Sequence, residues 1–85
     1  MNLRYSVYVH GDLLGIVSKR GTNHRKILNF IHSLADDPFQ KGDFTDTDAA
    51  SRPRQIKIIG DFAVTFWSDH AVKAVMIVDI SRTDQ

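Results

Sequence analysis

Alternation of apolar and polar residues marks both ends of the chain. Near the start, Tyr5, Val7 and Val9 fall on one side of a period-two pattern, which predicts a strand over residues 4–10. Toward the end, three runs rich in β-forming residues are separated by tight-turn residues: 55–59, 62–68 and 72–80. These three runs predict an antiparallel meander.

Helical periodicity lies between the first strand and the meander. Asp12 offers an N-cap for a short helix over residues 13–17, which Gly21 ends. A second, amphipathic helix is marked by apolar residues at helical spacing between 27 and 34, and Pro38 stops it. Because the turn between the two helices is so short, they are expected to form an antiparallel hairpin.

The segment 39–53 has no useful periodicity and collects Gly, Asp, Thr, Ser and Pro. It predicts a surface connection with a short extended piece around Phe44. The element order is then β-α-α-β-β-β, which predicts an α+β fold. In that fold a two-helix antiparallel hairpin packs on one face of a mainly antiparallel sheet of about four strands. The 85 residues are expected to form a single domain over residues 1–85.

Strand parity divides this sheet into a core face and an open face, if residues 59–61 form a three-residue turn. Ten residues are then expected to face the helices: Ile56, Ile58, Phe62, Val64, Phe66, Val72, Ala74, Met76, Val78 and Ile80. Nine are expected on the open face: Gln55, Lys57, Ala63, Thr65, Trp67, Lys73, Val75, Ile77 and Asp79. A register error of one residue would exchange the two sets.

Composition narrows the class of protein. The chain has no cysteine, which excludes disulfides and thiolate chemistry and favours a cytoplasmic location. No signal peptide or membrane-spanning run is recognisable, so no membrane partner is expected. The net charge is +1, yet residues 1–26 carry five basic groups against one acid, and residues 27–51 carry one against five. The basic part is either a phosphate-binding surface or an ordinary solvated one.

Residues 54–80, RQIKIIGDFAVTFWSDHAVKAVMIVDI, carry a resemblance to a known group of proteins. Together with SLADDPF at 33–39 and KGDF at 41–44, this stretch resembles the RelE/ParE superfamily of type II toxins. Within it lies the segment Trp-Ser-Asp-His-Ala-Val-Lys at 67–73, which looks like that of a short bacterial subgroup. The resemblance implies the toxin component of a bacterial toxin–antitoxin pair, with a cognate antitoxin as partner.

Ribosome-dependent nucleases of this superfamily bind the mRNA phosphate through basic side chains on the exposed sheet face. The resemblance therefore implies a metal-independent endoribonuclease without cofactor, acting on the ribosome and its mRNA. Lys57 and Arg82 match the family's strand lysine and late arginine, and His70 or Asp79 is a candidate for proton transfer. Six residues are candidates for nucleic-acid contact: Arg20, Arg25, Lys26, Arg54, Trp67 and Lys73.

Each of these residues also has a structural interpretation. Trp67 can stack a base or anchor a partner, or it can pack against the segment 39–53. His70 can be an idle turn histidine, and Asp79 can form a cross-strand ion pair with Lys57 or Lys73.

Two departures from the superfamily pattern open further alternatives. Ala63 stands where the family has a central arginine, and the family's C-terminal tyrosine is missing. One alternative is therefore a noncatalytic ParE-like inhibitor of DNA gyrase. Another is a decayed toxin that serves as a protein-interaction domain, pairing with a partner or with itself as a homodimer.

Overall fold

The structure is a computed structural model and describes residues 4–84. It contains, in chain order, β1 (Ser6–Val9), a one-turn 3-10 helix (Leu13–Ile16), α1 (Thr22–Asp36), β2 (Phe44–Thr47), β3 (Pro53–Ile59), β4 (Phe62–Asp69) and β5 (Ala74–Arg82). Neither helix in this part of the chain is long and apolar enough to cross a membrane.

All five strands form one sheet in the order β1-β5-β4-β3-β2. The pairs β2–β3, β3–β4 and β4–β5 are antiparallel, and β1 joins β5 in parallel. The predicted α+β class and the mainly antiparallel sheet are confirmed. The extended piece around Phe44 is a full strand, β2, so the sheet has five strands where about four were expected.

The helix α1 covers one face of this sheet. Its residues Ile27, Ile31 and Leu34 are three or four positions apart, so they lie on one side of the helix, and all three are buried. They share a core cluster with Val64 and Phe66 of β4. Full burial of one such side chain contributes roughly 1.5–3 kcal/mol, so this stripe fixes the helix on the sheet.

The predicted helical hairpin is wrong, because the first helix is a single 3-10 turn, Leu13–Ile16. Gly15 lies inside this turn and disfavours helix, and Val17 already has extended backbone angles. So short a segment cannot meet the cost of helix nucleation by itself. The helical layer is therefore one 15-residue helix, and its flank beside β1 is left less covered.

The predicted face of β3 is also wrong, because the β3–β4 turn has two residues instead of three. Ile59 pairs with Phe62, so only Gly60 and Asp61 form the turn, and Gly60 has a φ of +58°. Lys57 is consequently the cross-strand partner of the buried core residue Val64 and lies on the same face of the sheet. The whole strand is exchanged: Gln55, Lys57 and Ile59 share the helix-covered face, and Ile56 and Ile58 lie on the open face, the one away from α1.

A β-bulge changes the parity of β5 in a similar way. Thr65 pairs with Asp79, but Phe66 pairs with Ile77, which leaves Val78 as an extra residue. In residues 74–77, which precede the bulge, the two faces are the reverse of those predicted. Val75 and Ile77, predicted on the open face, are therefore buried in the core. The predicted core residues Ala74 and Met76 lie on the open face, opposite Asp69 and Trp67, and Val72 is exposed in the turn before β5. Asp79 lies on the open face as predicted.

Candidate functional site

The open face of the sheet carries a row of large side chains from neighbouring strands. Trp67 of β4 pairs with Met76 of β5, and Met76 pairs with Tyr8 of β1. On the other side of Trp67 lies Arg54 of β3. Gln55 pairs with Phe66 on the helix-covered face, so the preceding residue, Arg54, lies beside Trp67 on the open face. Arg54 in turn pairs with Asp46 of β2. Tyr8 is 56% exposed. This row places two aromatic side chains, a methionine and an arginine side by side on the open face.

Trp67 is partly covered by an arginine from the β2–β3 connection. The guanidinium carbon of Arg52 lies 4.1 Å from the centre of the indole ring, which is a cation–π arrangement. Arg52 is also 3.5 Å from the carboxylate of Asp48. The backbone N–H of Arg52 donates a hydrogen bond to that carboxylate, which lowers the pKa of Asp48. The connection is thus held in place over the indole.

The arginine of the row is neutralised by its own neighbour. Arg54 donates two hydrogen bonds to Asp46, at 2.8 Å and 2.7 Å, in a bidentate pair. These bonds, together with the charges of Asp46, Asp48 and Asp79, raise the pKa of Arg54. The open face therefore presents paired charges around an aromatic centre, which differs from a basic phosphate-binding surface.

Lys57 lies on the other side of the sheet from Trp67, so the expected lysine–tryptophan surface does not exist. Its Nζ atom is 3.8 Å from the carboxylate of Asp43, which immediately precedes β2. Asp43 also accepts a hydrogen bond from the backbone N–H of Ile58 at 2.8 Å. Lys57 is thus part of a local connection that holds the start of β2 against β3.

The other candidates for catalysis lie at separate places. His70 is in the turn after β4, whereas Arg82 is at the far end of β5, whose nine residues span roughly 25 Å by the strand rise. Arg82 is bonded to Asp84, and this bond raises the pKa of Arg82 and lowers that of Asp84. Asp79 is on the open face. The four predicted catalytic residues are therefore not brought together in one site.

His70 belongs to a small aromatic cluster. Its Nδ1 atom is 2.8 Å from the hydroxyl of Tyr5, and its ring is stacked on Phe39 with centroids 4.6 Å apart and planes inclined by 10°. His70, which the sequence left open as either a proton-transfer group or an idle turn histidine, is thus held by two contacts. Lys73, in the same turn, is exposed and has a φ of +55°.

The candidates on the helical side remain solvent-exposed. Arg20 precedes α1, and Arg25 and Lys26 lie near its start. None of the three takes part in the ion pairs found among residues 4–84. They form a basic surface on the side of the molecule opposite Trp67.

The sequence did not reveal a groove between β1 and α1. Two clefts of about 420 and 670 Å³ share Val9 and Leu28 and so form one continuous depression. Its rim carries Arg4 at one end, 3.7 Å from the carboxylate of Asp36, and Lys19 together with Asp12 at the other. One signal in the sequence could have indicated the groove, namely the weak helical propensity of residues 13–17. A full helix there would have covered more of the flank beside β1, whereas a single turn leaves it open. Residues 4–84 contain no group of three or more His, Cys, Asp or Glu side chains that could hold a metal ion.

Comparison with known proteins identifies the fold. No protein-family model matches the sequence, and no curated protein matches it either. Among solved structures, a chain of the archaeal RelE–RelB complex from Pyrococcus horikoshii OT3 has a TM-score of 0.74 and 18% identity, with 100% of this chain and 99% of that chain covered. A chain of the toxin–antitoxin complex RelBE2 from Mycobacterium tuberculosis has a TM-score of 0.67 and 13% identity, covering 93% and 98%. The chain therefore has the fold of these toxin–antitoxin complex proteins from the first described strand to the last.

Proposed function

We propose that this chain is the toxin component of a bacterial type II toxin–antitoxin pair and that it acts in the cytoplasm. The observation that carries the proposal is the full-length likeness to a chain of a RelE–RelB complex, which agrees with the resemblance of residues 54–80 to RelE/ParE toxins. An 85-residue domain has only a modest core, so a bound partner would also add stability.

The antitoxin is proposed to bind in the groove between β1 and α1. The N–H of Ser6 in β1 donates to the carbonyl of Lys73, just before β5, at 3.1 Å, and the N–H of His10, just after β1, donates to the carbonyl of Ile77 in β5 at 3.0 Å. Because backbone groups alternate in direction along a strand, those of Val7 and Val9 point to the free edge. An extended segment of the antitoxin can pair with this edge and place alternate apolar side chains in the groove. Lys19 lines the groove together with Asp12, and its ammonium group can pair with an acidic residue of the segment.

The mode of action is proposed to be contact with the target instead of RNA cleavage. Cleavage of RNA needs a proton acceptor, a proton donor and phosphate-binding cations around one bond. Lys57 and Asp79 lie on opposite faces of the sheet, and His70 and Arg82 are near opposite ends. The open face around Trp67 is instead suited to contact, because an aromatic centre with paired charges is typical of protein interfaces. The ParE-like gyrase inhibitor is thus favoured over the nuclease.

Induced expression in a bacterium tests the toxin function. Growth is expected to stop, and co-expression of a small antitoxin from the adjoining reading frame is expected to restore it. Trp67→Ala is expected to abolish the arrest, whereas Val72→Ala, at an exposed turn residue, leaves it intact. Normal growth of cells that contain the soluble, folded chain would contradict the proposal.

Two assays with purified components separate the modes of action. Inhibition of supercoiling by DNA gyrase, with ribosome-bound mRNA intact, is expected for action by contact. Cleavage of ribosome-bound mRNA that is lost on Lys57→Ala would contradict it and restore the nuclease.

The groove is tested by charge reversal at two adjacent residues. Lys19 lines the groove, whereas its exposed neighbour Arg20 does not. Lys19→Glu is expected to weaken antitoxin binding at low ionic strength, and Arg20→Glu serves as the control of equal charge change. Equal weakening by both substitutions would assign the effect to overall charge and remove the groove from the proposal.

A further inference from the structure

A cleft of about 190 Å³ lies between the loop after α1 and the adjacent ends of β3 and β4. Phe39 and Lys41 of the loop, Gln55 of β3 and His70 of the following turn contribute to its lining. This cleft shares no lining residue with the β1–α1 groove, and Trp67 also contributes to its lining. It combines an aromatic surface, a cation and an amide.

The aromatic wall of the cleft is an exposed ring in a fixed orientation. Phe39 is 68% exposed, although it is a large apolar side chain. One of its faces is stacked on His70, whose Nδ1 atom is held by the hydroxyl of the buried Tyr5 at 2.8 Å. The orientation of Phe39 is therefore set by a chain of contacts that leads to the core. A flat, exposed ring held in this way is ready to stack a second planar group.

The loop that carries Phe39 is fixed on both sides. The hydroxyl of Ser68 in β4 donates a hydrogen bond to the carbonyl of Pro38 at 2.8 Å. The amide of Gln40 donates to the hydroxyl of Ser33 in α1 at 3.0 Å. The cleft thus exists before a ligand arrives, which lowers the entropy lost on binding.

Lys41 supplies a cation that has no carboxylate partner in the part of the chain that the structure describes. Five ion pairs occur among residues 4–84, and they include Lys57 and four arginines but not Lys41. Lys41 is solvent-exposed beside the aromatic wall. An ammonium group in this position is available to an anion such as a phosphate.

Gln55 supplies hydrogen-bond donors. Its Oε1 atom accepts a bond from the backbone N–H of Gly42 at 2.8 Å, which fixes the orientation of the amide. Its Nε2 atom makes no hydrogen bond within residues 4–84, and it is not a buried unsatisfied atom. The NH₂ group is therefore accessible in the cleft. A fixed glutamine amide is suited to the edge of a nucleobase.

We propose that this cleft binds one nucleotide, that is, a planar heterocyclic base attached to a phosphate. The base stacks on Phe39, Gln55 contacts its edge, and Lys41 contacts the phosphate. The volume supports one base only, since it is below the roughly 300–1,000 Å³ of pockets for drug-sized ligands. An aromatic side chain of a protein partner could stack on Phe39 but would leave the ammonium and the amide unused. The ligand is either a free nucleotide or an unstacked residue of a single-stranded RNA.

The test is an NMR titration of the ¹⁵N-labelled full chain with the four ribonucleoside monophosphates, with inorganic phosphate and with a six-nucleotide RNA. Shifts are expected at the amides of residues 39–41, 55 and 70. Saturation of these shifts by both the monophosphates and the RNA would identify a site for free nucleotides. Saturation by the RNA alone would identify a site for one nucleotide within an RNA strand. Either result supports nucleotide binding in the cleft. No localised shift with any of the nucleotides, or equal binding of inorganic phosphate alone, would overturn the proposal.

Two variants and one matched control make the test specific. Phe39→Ala is expected to weaken binding by about 5- to 150-fold, which is the range for loss of one base–aromatic stack. Lys41→Gln is expected to weaken binding without removing the stack, so it tests the site even if Phe39→Ala disturbs the loop. Phe44→Ala is the control, because Phe44 is 61% exposed in β2 and is not in the cleft. Binding that is unchanged in both cleft variants, or weakened equally in the control, would refute the assignment.

Discussion

Gly42 is the position at which a single added methyl group is expected to disturb the sheet most directly. A Cβ atom there would lie 2.6 Å from the carbonyl carbon of Ile56, 2.8 Å from its nitrogen, and closer still to its carbonyl oxygen. All three are backbone atoms of the neighbouring strand, so no side chain can rotate away. Gly42→Ala must therefore move the start of β2 away from β3.

The cost follows from the hydrogen bonds that join these segments. Three bonds of 2.8 Å are at stake: from Gly42 to Gln55, from Asp43 to Ile56, and from Ile58 to the Asp43 carboxylate. At roughly 0.5–1.5 kcal/mol net for each bond, their loss lowers the free energy of unfolding by about 1.5–4.5 kcal/mol. A chain of this length has a total stability of only about 4–13 kcal/mol.

Urea denaturation followed by the fluorescence of Trp67, the only tryptophan, measures this change. Gly15→Ala is the control, because a Cβ atom at Gly15 meets nothing within 4 Å. The free energy of unfolding of this control is expected to exceed that of the unaltered chain by no more than about 1 kcal/mol. If Gly42→Ala is within 0.5 kcal/mol of Gly15→Ala, on the order of the error of such measurements, the close approach of the two backbones is refuted.

Two further predictions concern the connection that covers Trp67. The hydrogen bond from Arg52 lowers the pKa of Asp48, so its stabilising effect is present above the pKa of the unfolded state and is lost as pH falls through the lower, folded pKa. An NMR titration is expected to find the Asp48 carboxyl titrating below unfolded-state aspartate, and titration at or above that value would contradict the contact. Arg52→Gln is expected to expose the indole and shift Trp67 emission to longer wavelength. Arg20→Gln is expected to leave the emission of Trp67 unchanged. Equal emission spectra for the two variants would exclude the cation–π contact.

The elements with strong local patterns could be predicted from the sequence. The apolar spacing of residues 27–34 located α1, and alternation located β1 and the meander. The first helix failed because periodicity over five residues, one of them Gly15, does not outweigh the cost of nucleation. The strand β2 was recognised only as an extended piece, since its pairing with β3 is a tertiary contact that residues 44–47 do not encode locally.

The faces of the strands were less accessible, because two single-residue features decide them. The two-residue turn at Gly60 moved Lys57 to the helical side, and the bulge at Val78 moved Ile77 into the core. Both strands have apolar residues at successive positions, so the hydrophobic pattern alone accepts either register. The predicted site depended on the parity of these strands, and that is why Lys57 and Trp67 were separated.

The pairing of charges explains how one nearly neutral chain can present two different surfaces. On the open face, Arg54 is bonded to Asp46 and Arg52 lies beside Asp48, so the field around Trp67 is short-ranged. The helical side keeps exposed cations that form no ion pair among residues 4–84, as Lys26 does. Such cations attract an acidic partner over about 10 Å at moderate salt, whereas the open face can hold a partner only after contact. Binding to the helical side should therefore weaken with added salt, and binding to the open face should depend mainly on the area buried around the indole.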